Sequence, residues 1–202
     1  AKNAGDANML VTVYQDCLAV APEANAYRGY AQALKKQGKT EEAKKLIDEA
    51  IAKYPKDPNL LVEKINSYLE GAQYQDALAY VNNLIEVEPK NDGAYFIKGL
   101  AYEKIGNEDS VIYYYTKTAE INPANIKPWN NLGALYVNKA NSMLEEMNKL
   151  GNSSADMKKY EELKKKRNEL YLKVKPYLEK AKAIDPNDTQ ITRTLKQVEL
   201  YT

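Results

Sequence analysis

The sequence predicts an all-α protein, an α-solenoid of stacked helix pairs, and three observations carry that reading. The first is a fixed period of 34. Stepping back from Trp129 reaches Tyr95, Leu61 and Tyr27, while stepping back from Tyr136 reaches Tyr102, Tyr68 and Leu34. Gly133 maps in the same way onto Gly99, Ile65 and Ala31, and a period in this range marks a repeat array. The second is a run of prolines, Pro55, Pro89 and Pro123, on the same spacing, with Pro22 one residue off it. The third is that apolar residues between the prolines recur at steps of 3, 4 and 7, one stripe per helix. In such an array each unit contacts its neighbours, and its main product is surface for partners.

Composition narrows the function. The chain has 202 residues, 29 of them basic and 28 acidic, for a net charge of +1. That balance argues against a general affinity for nucleic acid and against a polybasic membrane anchor. No apolar run approaches the roughly 18 residues of a membrane span, so direct membrane insertion is not expected. A single cysteine allows no disulfide within the chain. The absence of histidine removes the imidazole base, the Ser-His and Cys-His pairs and the His metal ligand. No Gly-rich phosphate loop, EF-hand spacing or cysteine cluster is present, so no cofactor and no metal are expected. The carboxylates of Glu63, Glu70 and Glu103 are spread over several repeats and form no acid/base pair. The chain therefore reads as not an enzyme, with no catalytic residues.

With each closing proline as position 32, residues 1–22 form a half repeat. Gly5 falls at the turn position, 15, and Asp6 is placed to cap a helix from about Ala7 to Ala19. Leu10, Tyr14 and Cys17 then occupy positions 20, 24 and 27 of a B helix without its A helix. The upstream part of a longer protein is expected to cover this helix, residues 7–19, because its apolar face would otherwise be bare. Cys17 reads as a packing residue, since no His or basic helix start is placed to lower its pKa.

Three regular repeats follow, over 24–57, 58–91 and 92–125. Their A helices carry Tyr27, Ala31 and Leu34, then Leu61, Ile65 and Tyr68, then Tyr95, Gly99 and Tyr102. Their B helices carry Ala43, Ile47 and Ala50, then Ala77, Val81 and Leu84, then Val111, Tyr115 and Thr118. Small residues at positions 8 and 20 let paired helices approach, and proline at 32 ends each B helix. Gly38 and Gly106 mark the turn at position 15. Of Tyr113, Tyr114 and Tyr115, only the last lies on the core stripe, and the other two are expected to cover neighbouring B helices.

The fourth repeat, 126–188, is longer: Pro123 to Pro186 spans 63 residues, an excess of 29. Val137, Ala140, Met143, Leu144, Met147 and Leu150 continue the helical spacing. A turn follows at 151–156, and Met157, Tyr160, Leu163, Arg167, Leu170 and Val174 return. This is a stretched helical hairpin whose arms each gain about 14 residues, or roughly 20 Å. A kink or break is expected just before Pro176. The lysine runs at 158–159 and 164–166 are interleaved with Glu161, Glu162 and Glu169, the pattern of a solvated, salt-bridged face. Residues 189–202 form a capping helix bearing Ile191, Leu195 and Val198. Its position 8 is Lys196, where close packing wants a small side chain.

The motif Trp129-x2-Leu132-Gly133-x2-Tyr136 on a 34-residue period resembles the tetratricopeptide repeat (TPR) proteins, and the resemblance covers the chain apart from the insertion. The long hairpin also resembles exported TPR proteins of Bacteroidetes, which favours an exported or periplasmic location over a cytoplasmic one. The resemblance implies a right-handed superhelix whose A helices line a concave groove, and a non-catalytic protein–protein interaction scaffold that binds a peptide or partner helix there. It places groove residues at Arg28, Gln32, Val62, Asn66, Leu69, Phe96, Lys127, Asn130 and Asn131, with an apolar middle at Val62, Leu69 and Phe96. The carboxylate clamp of chaperone-binding relatives is broken here, because Arg28 and Gln32 are followed by Glu63, Gly93 and Ile97. The alternative is an assembly element that uses the long hairpin for oligomerisation or complex formation.

Overall fold

The computed structural model describes residues 2–201, with side chains from residue 8 onward. Among the described residues there are ten α-helices and no strand. The chain divides into two compact units, Ala1–Glu108 and Asp109–Thr202, each taken by itself here.

The first unit holds α1 (Lys2–Val20), α2 (Ala24–Lys36), α3 (Thr40–Lys53), α4 (Pro58–Glu70), α5 (Tyr74–Val87) and α6 (Asp92–Ile105). Short polar side chains start two of the A helices, α4 and α6: Asp57 accepts from the Leu60 backbone N–H at 3.0 Å, and Asn91 accepts from Ala94 at 3.0 Å. Each A helix ends in a residue with positive φ at position 15, namely Gly38 at 77°, Ala72 at 54° and Gly106 at 85°. One bond recurs on the repeat period and closes these ends: Lys39 N–H to Leu34 O, Gln73 N–H to Tyr68 O and Asn107 N–H to Tyr102 O, at 3.0, 2.8 and 3.0 Å.

Two apolar clusters fill this unit, and they are the stripes the period picks out. One joins Tyr27, Ala31 and Leu34 of α2 to Ala43, Ile47 and Ala50 of α3 and Leu60 of α4. The other joins Leu61 and Ile65 to Val81, Leu84 and Ala94. Helix α1 differs from expectation. It begins by Lys2, so Gly5 and Asp6 lie inside a helix rather than at a turn and a cap. A lone helical glycine costs only about 1 kcal/mol.

The second unit holds α7 (Glu108–Ile121), α8 (Lys127–Met147), α9 (Ser154–Ile184) and α10 (Thr189–Glu199). Helices α8 and α9 form the stretched hairpin, turned at 148–153, where Ser153 Oγ accepts from the Asp156 backbone N–H at 3.1 Å. Its seam runs through Ala140 and Met147 on one arm and Leu163, Arg167, Tyr171, Val174 and Leu178 on the other. Met157 and Tyr160, expected on that seam, are exposed instead. Of the kink or break expected before Pro176, the break does not occur: α9 is continuous through it. Helix α10 is capped by Asp188, which accepts from Gln190 and Ile191, and it buries Ile191, Leu195 and Val198.

Candidate interaction surfaces

In the first unit the expected groove residues divide into two kinds. Arg28 and Gln32 stitch helix α2 to helix α4. Arg28 Nη1 donates to Asn59 Oδ1 at 3.2 Å, and Gln32 Nε2 donates to Glu63 Oε1 at 2.6 Å. Lys35 Nζ completes the set with a salt bridge to Glu63 Oε2 at 3.1 Å. Positions 5, 9 and 12 of one A helix thus reach positions 2 and 6 of the next. Sequence reasoning placed Arg28 and Gln32 in a groove but missed this ladder, although the opposite charges of Lys35 and Glu63 were the available signal. Glu63, considered as a catalytic carboxylate, is tied up here.

Val62 and Leu69 are the second kind. Both are half-buried and packed against the cluster around Leu61, Ile65 and Val81. Phe96 on α6 is half-buried, and Asn66 on α4 is exposed. On the other side of α4, Lys64 is buried, bonded to Asp48 and set over the rings of Tyr68 at 4.8 Å and Tyr80 at 5.9 Å. Burial pulls the Lys64 pKa down, but the Asp48 hydrogen bond and charge outweigh it, so the ammonium titrates above its ordinary value. Burial is also the main cause of the raised Tyr80 pKa. No sequence signal marked Lys64, because a lysine in a helix reads as exposed.

A crevice of about 730 Å³ opens between α1 and α2. Tyr14, Cys17 and Val20 form one wall, and Asn25, Ala26 and Gly29 form the other. The helices meet closely, since a Cβ on Gly29 would fall 2.3 Å from the Tyr14 ring. Polar ties fix the pair: Gln15 Nε2 donates to the Tyr30 hydroxyl and Gln37 Nε2 to Asn8 Oδ1, both at 2.7 Å. Cys17, expected to be packed, is exposed; among the described residues no helix covers that face of α1.

In the second unit, Lys127 is exposed at the start of α8. Asn131 Nδ2 donates to the buried Tyr115 hydroxyl at 3.0 Å, so its amide serves the core. Asn130 lines a cavity of about 400 Å³ shared with Leu178, Gln190 and Thr194, and its Oδ1 is buried with no hydrogen-bond partner among the described residues. Trp129 and Tyr136 both stack on Tyr177, at 6.1 and 6.0 Å, and Lys180 lies over Trp129 at 4.4 Å. Sequence reasoning found Trp129 and Tyr136 through the repeat but not the tyrosine that binds them together.

Other sequence candidates fall into place. Tyr115 is fully buried, whereas Tyr113, expected to cover a neighbouring B helix, is 61% exposed and meets the edge of Tyr114 at 5.0 Å. Along the hairpin, Lys159 pairs with Glu146 at 2.6 Å and Lys164 with Glu161 at 3.5 Å. The Lys159 hydrogen bond holds the Glu146 carboxyl below its ordinary value, and Glu146 raises the ammonium in return. Among the described residues no cluster of three or more acidic or cysteine side chains could hold a metal ion, and no helix is long and apolar enough to cross a membrane.

Paired helices closed by the same turn, with a polar ladder between the A helices α2 and α4, define a helical repeat protein. The chain belongs to the tetratricopeptide repeat family: two family models, each described as Tetratricopeptide repeat, match residues 24–67 and 62–126. It is 26% identical over 131 residues to "Tetratricopeptide repeat protein 37" of Xenopus laevis, which covers 61% of this chain and 8% of that protein. The chain thus spans a small fraction of that relative's length. Among solved structures it is similar to MamA (MSR-1), with TM-score 0.60, 18% identity and 92% and 91% of the two chains covered. A TPR repeats protein from Bacteroides fragilis gives TM-score 0.53 at 21% identity, with 100% and 94% covered. A tetratricopeptide repeat protein from Parabacteroides merdae gives 0.60 at 15%, with 96% and 93% covered. These likenesses show the fold, an α-solenoid.

Proposed function

We propose that this chain is a non-catalytic protein-interaction scaffold that holds a peptide or a partner helix against its A helices. The observation that carries the reading is the state of Val62 and Leu69. Each rests on a buried cluster while remaining half-exposed, so it offers a fixed apolar contact that loses little further freedom on binding. Phe96 in the same unit adds an aromatic anchor, and Asn66 an exposed amide. A partner segment with alternating apolar and polar side chains matches this set. The near-zero net charge favours a protein over a nucleic acid as partner.

The test is a pull-down from native extract with the chain and with Phe96→Glu and Val62→Glu in parallel. A partner held by the parent and lost by both variants supports the groove reading. A partner held equally by all three overturns it.

One observation favours a second reading, assembly through the hairpin: Met157, Tyr160 and Leu172 on α9 are 60%, 40% and 58% exposed. Light scattering across a concentration series checks it. A mass that grows with concentration, and that Met157→Lys with Leu172→Glu returns to the monomer, supports assembly. A constant monomer mass excludes self-assembly.

A further inference from the structure

Positions 5, 9 and 12 of one A helix stand opposite positions 2 and 6 of the next, and the seam between them is closed differently from place to place. Between α2 and α4 it is closed by charge and hydrogen bonds: Arg28, Gln32 and Lys35 reach Asn59 and Glu63. Between α4 and α6 it is closed by apolar packing, with Val62, Leu69 and Ile97 on one buried cluster. Between α8 and α10, both in the second unit, the same positions are Asn130, Ala134 and Val137 opposite Gln190 and Thr194. Three short side chains stand where Arg28, Gln32 and Lys35 stand in the first seam, and a threonine replaces Glu63. A cavity of about 400 Å³ lies among them. Its inner end is apolar, since Leu178 and Ile191 are each 4% exposed. Leu178 lies so close to α8 that a Cβ on Gly133 would fall 2.8 Å from it. Ala134 and Gln190 are exposed, so the outer end meets solvent.

We propose that this cavity takes the side chain of an arginine from a partner polypeptide, whose guanidinium supplies from outside the contact that Arg28 makes to Asn59 in the first unit. The lining asks for a donor. Asn130 Oδ1 is buried with no hydrogen-bond partner among the described residues. Asp188 accepts from the Gln190 and Ile191 backbone N–H groups through Oδ1 alone, which leaves its second oxygen for a guest. The Thr194 hydroxyl donates to the Gln190 carbonyl at 2.9 Å, so towards a guest it accepts. The lining holds one carboxylate and no lysine or arginine, so the guest is a cation. The first seam shows which cation. Lys35 pairs with the carboxylate at position 6, and that position is now Thr194. Arg28 pairs with the amide oxygen at position 2, and that position keeps an amide in Gln190. A guanidinium also carries donors on both edges of a planar fork, which suits acceptors on two facing helices better than the point charge of an ammonium. The methylenes of the arginine lie on Leu178 and Ile191. Free arginine fits less well, because nothing in the lining pairs with its carboxylate. The proposal rests on the scaffold reading but not on the Val62 and Phe96 surface.

The probe is arginine blocked at both ends, N-acetyl-arginine methylamide, titrated into the full chain and followed by amide NMR shifts. The expected result is saturation at about millimolar concentration, the scale for a single side chain, with shifts centred on Asn130, Ala134, Gln190 and Thr194. The blocked lysine and citrulline analogues bind about tenfold more weakly, since one loses the fork and the other the charge. Asp188→Asn keeps the helix cap, because asparagine caps as well as aspartate, and weakens blocked arginine about tenfold. Asn130→Arg places the Arg28 side chain in the seam itself and abolishes the shifts, while circular dichroism shows the chain still folded. No saturable shift means that the cavity holds only water, and it overturns the proposal. Equal binding of the lysine analogue overturns the choice of a guanidinium, and tighter binding of free than of blocked arginine overturns the polypeptide source. Phe96→Glu leaves the arginine shifts intact whatever it does in the pull-down, so this site and the groove reading fail separately.

Discussion

Replacing Ala72 by glycine should stabilise the protein. Ala72 occupies the turn position where the neighbouring repeats have glycine, and its φ of 54° is left-handed like theirs. The Gln73 to Tyr68 bond that closes this turn matches the bonds at the other two, so the geometry is imposed by the repeat and not by the residue. An L-residue in this region costs about 1–2 kcal/mol. Glycine in turn loses more chain entropy on folding, about 0.5–1 kcal/mol relative to alanine. The difference is a net gain of about 0.5–1 kcal/mol, which in a unit of roughly 100 residues raises the midpoint by about 2–8 °C. The reverse changes supply the control. At Gly38 and Gly106 a Cβ would meet nothing within 4 Å, so Gly38→Ala and Gly106→Ala report the backbone cost alone. Circular dichroism during thermal and urea unfolding reads all three variants. A lower midpoint for Ala72→Gly, or no loss from Gly38→Ala, would refute the reasoning.

Three further outcomes follow from the same contacts. A double-mutant cycle on Lys35→Ala and Glu63→Ala should give a coupling of about 0.5–1 kcal/mol in urea unfolding, because the pair is shielded on the α2–α4 seam; a coupling near zero means that the ladder adds no stability. The raised Lys64 and Tyr80 values make the contribution of this cluster full below their unfolded pKa values, near 10, and lost as pH rises through the higher folded values. Lys64→Met should flatten the alkaline limb of the stability profile, and an unchanged limb counts against the assignment. Arg167 is 6% exposed, with its guanidinium 4.4 Å from the Tyr201 ring centre and its Nε unpaired among the described residues. Arg167→Met should therefore be neutral or stabilising by about 1 kcal/mol, whereas Arg167→Ala should destabilise by emptying the seam.

The helix stripes were legible because packing repeats. Ala31, Ile65 and Gly133 lie where two helices touch, and the touching recurs on the period, so the residue types recur with it. Helix ends and breaks were less legible. The turn glycine pattern extended wrongly to Gly5, because a glycine inside a helix and a glycine at its end look alike in sequence. The break expected at Pro176 did not form. The Tyr177 side chain, one residue on, is stacked on Trp129 and Tyr136, and Val174 and Leu178 are buried in the same seam. Packing on both sides of the proline offsets the lost backbone bond.

The surfaces were harder to read for a different reason. A repeat period assigns a residue to a face, but it does not say whether the neighbouring repeat already uses that face. Arg28 and Gln32 carry the right register for a groove, yet Asn59 and Glu63 stand one repeat on at the positions that engage them. The same translation bears on α1: Gly29 and Asn25 occupy those accepting positions, and among the described residues no A helix stands before them. In a repeat protein the informative comparison is between equivalent positions, one satisfied and one not. The exposure of Cys17 against the burial of Ala50 identifies the crevice more sharply than any property of Cys17 alone.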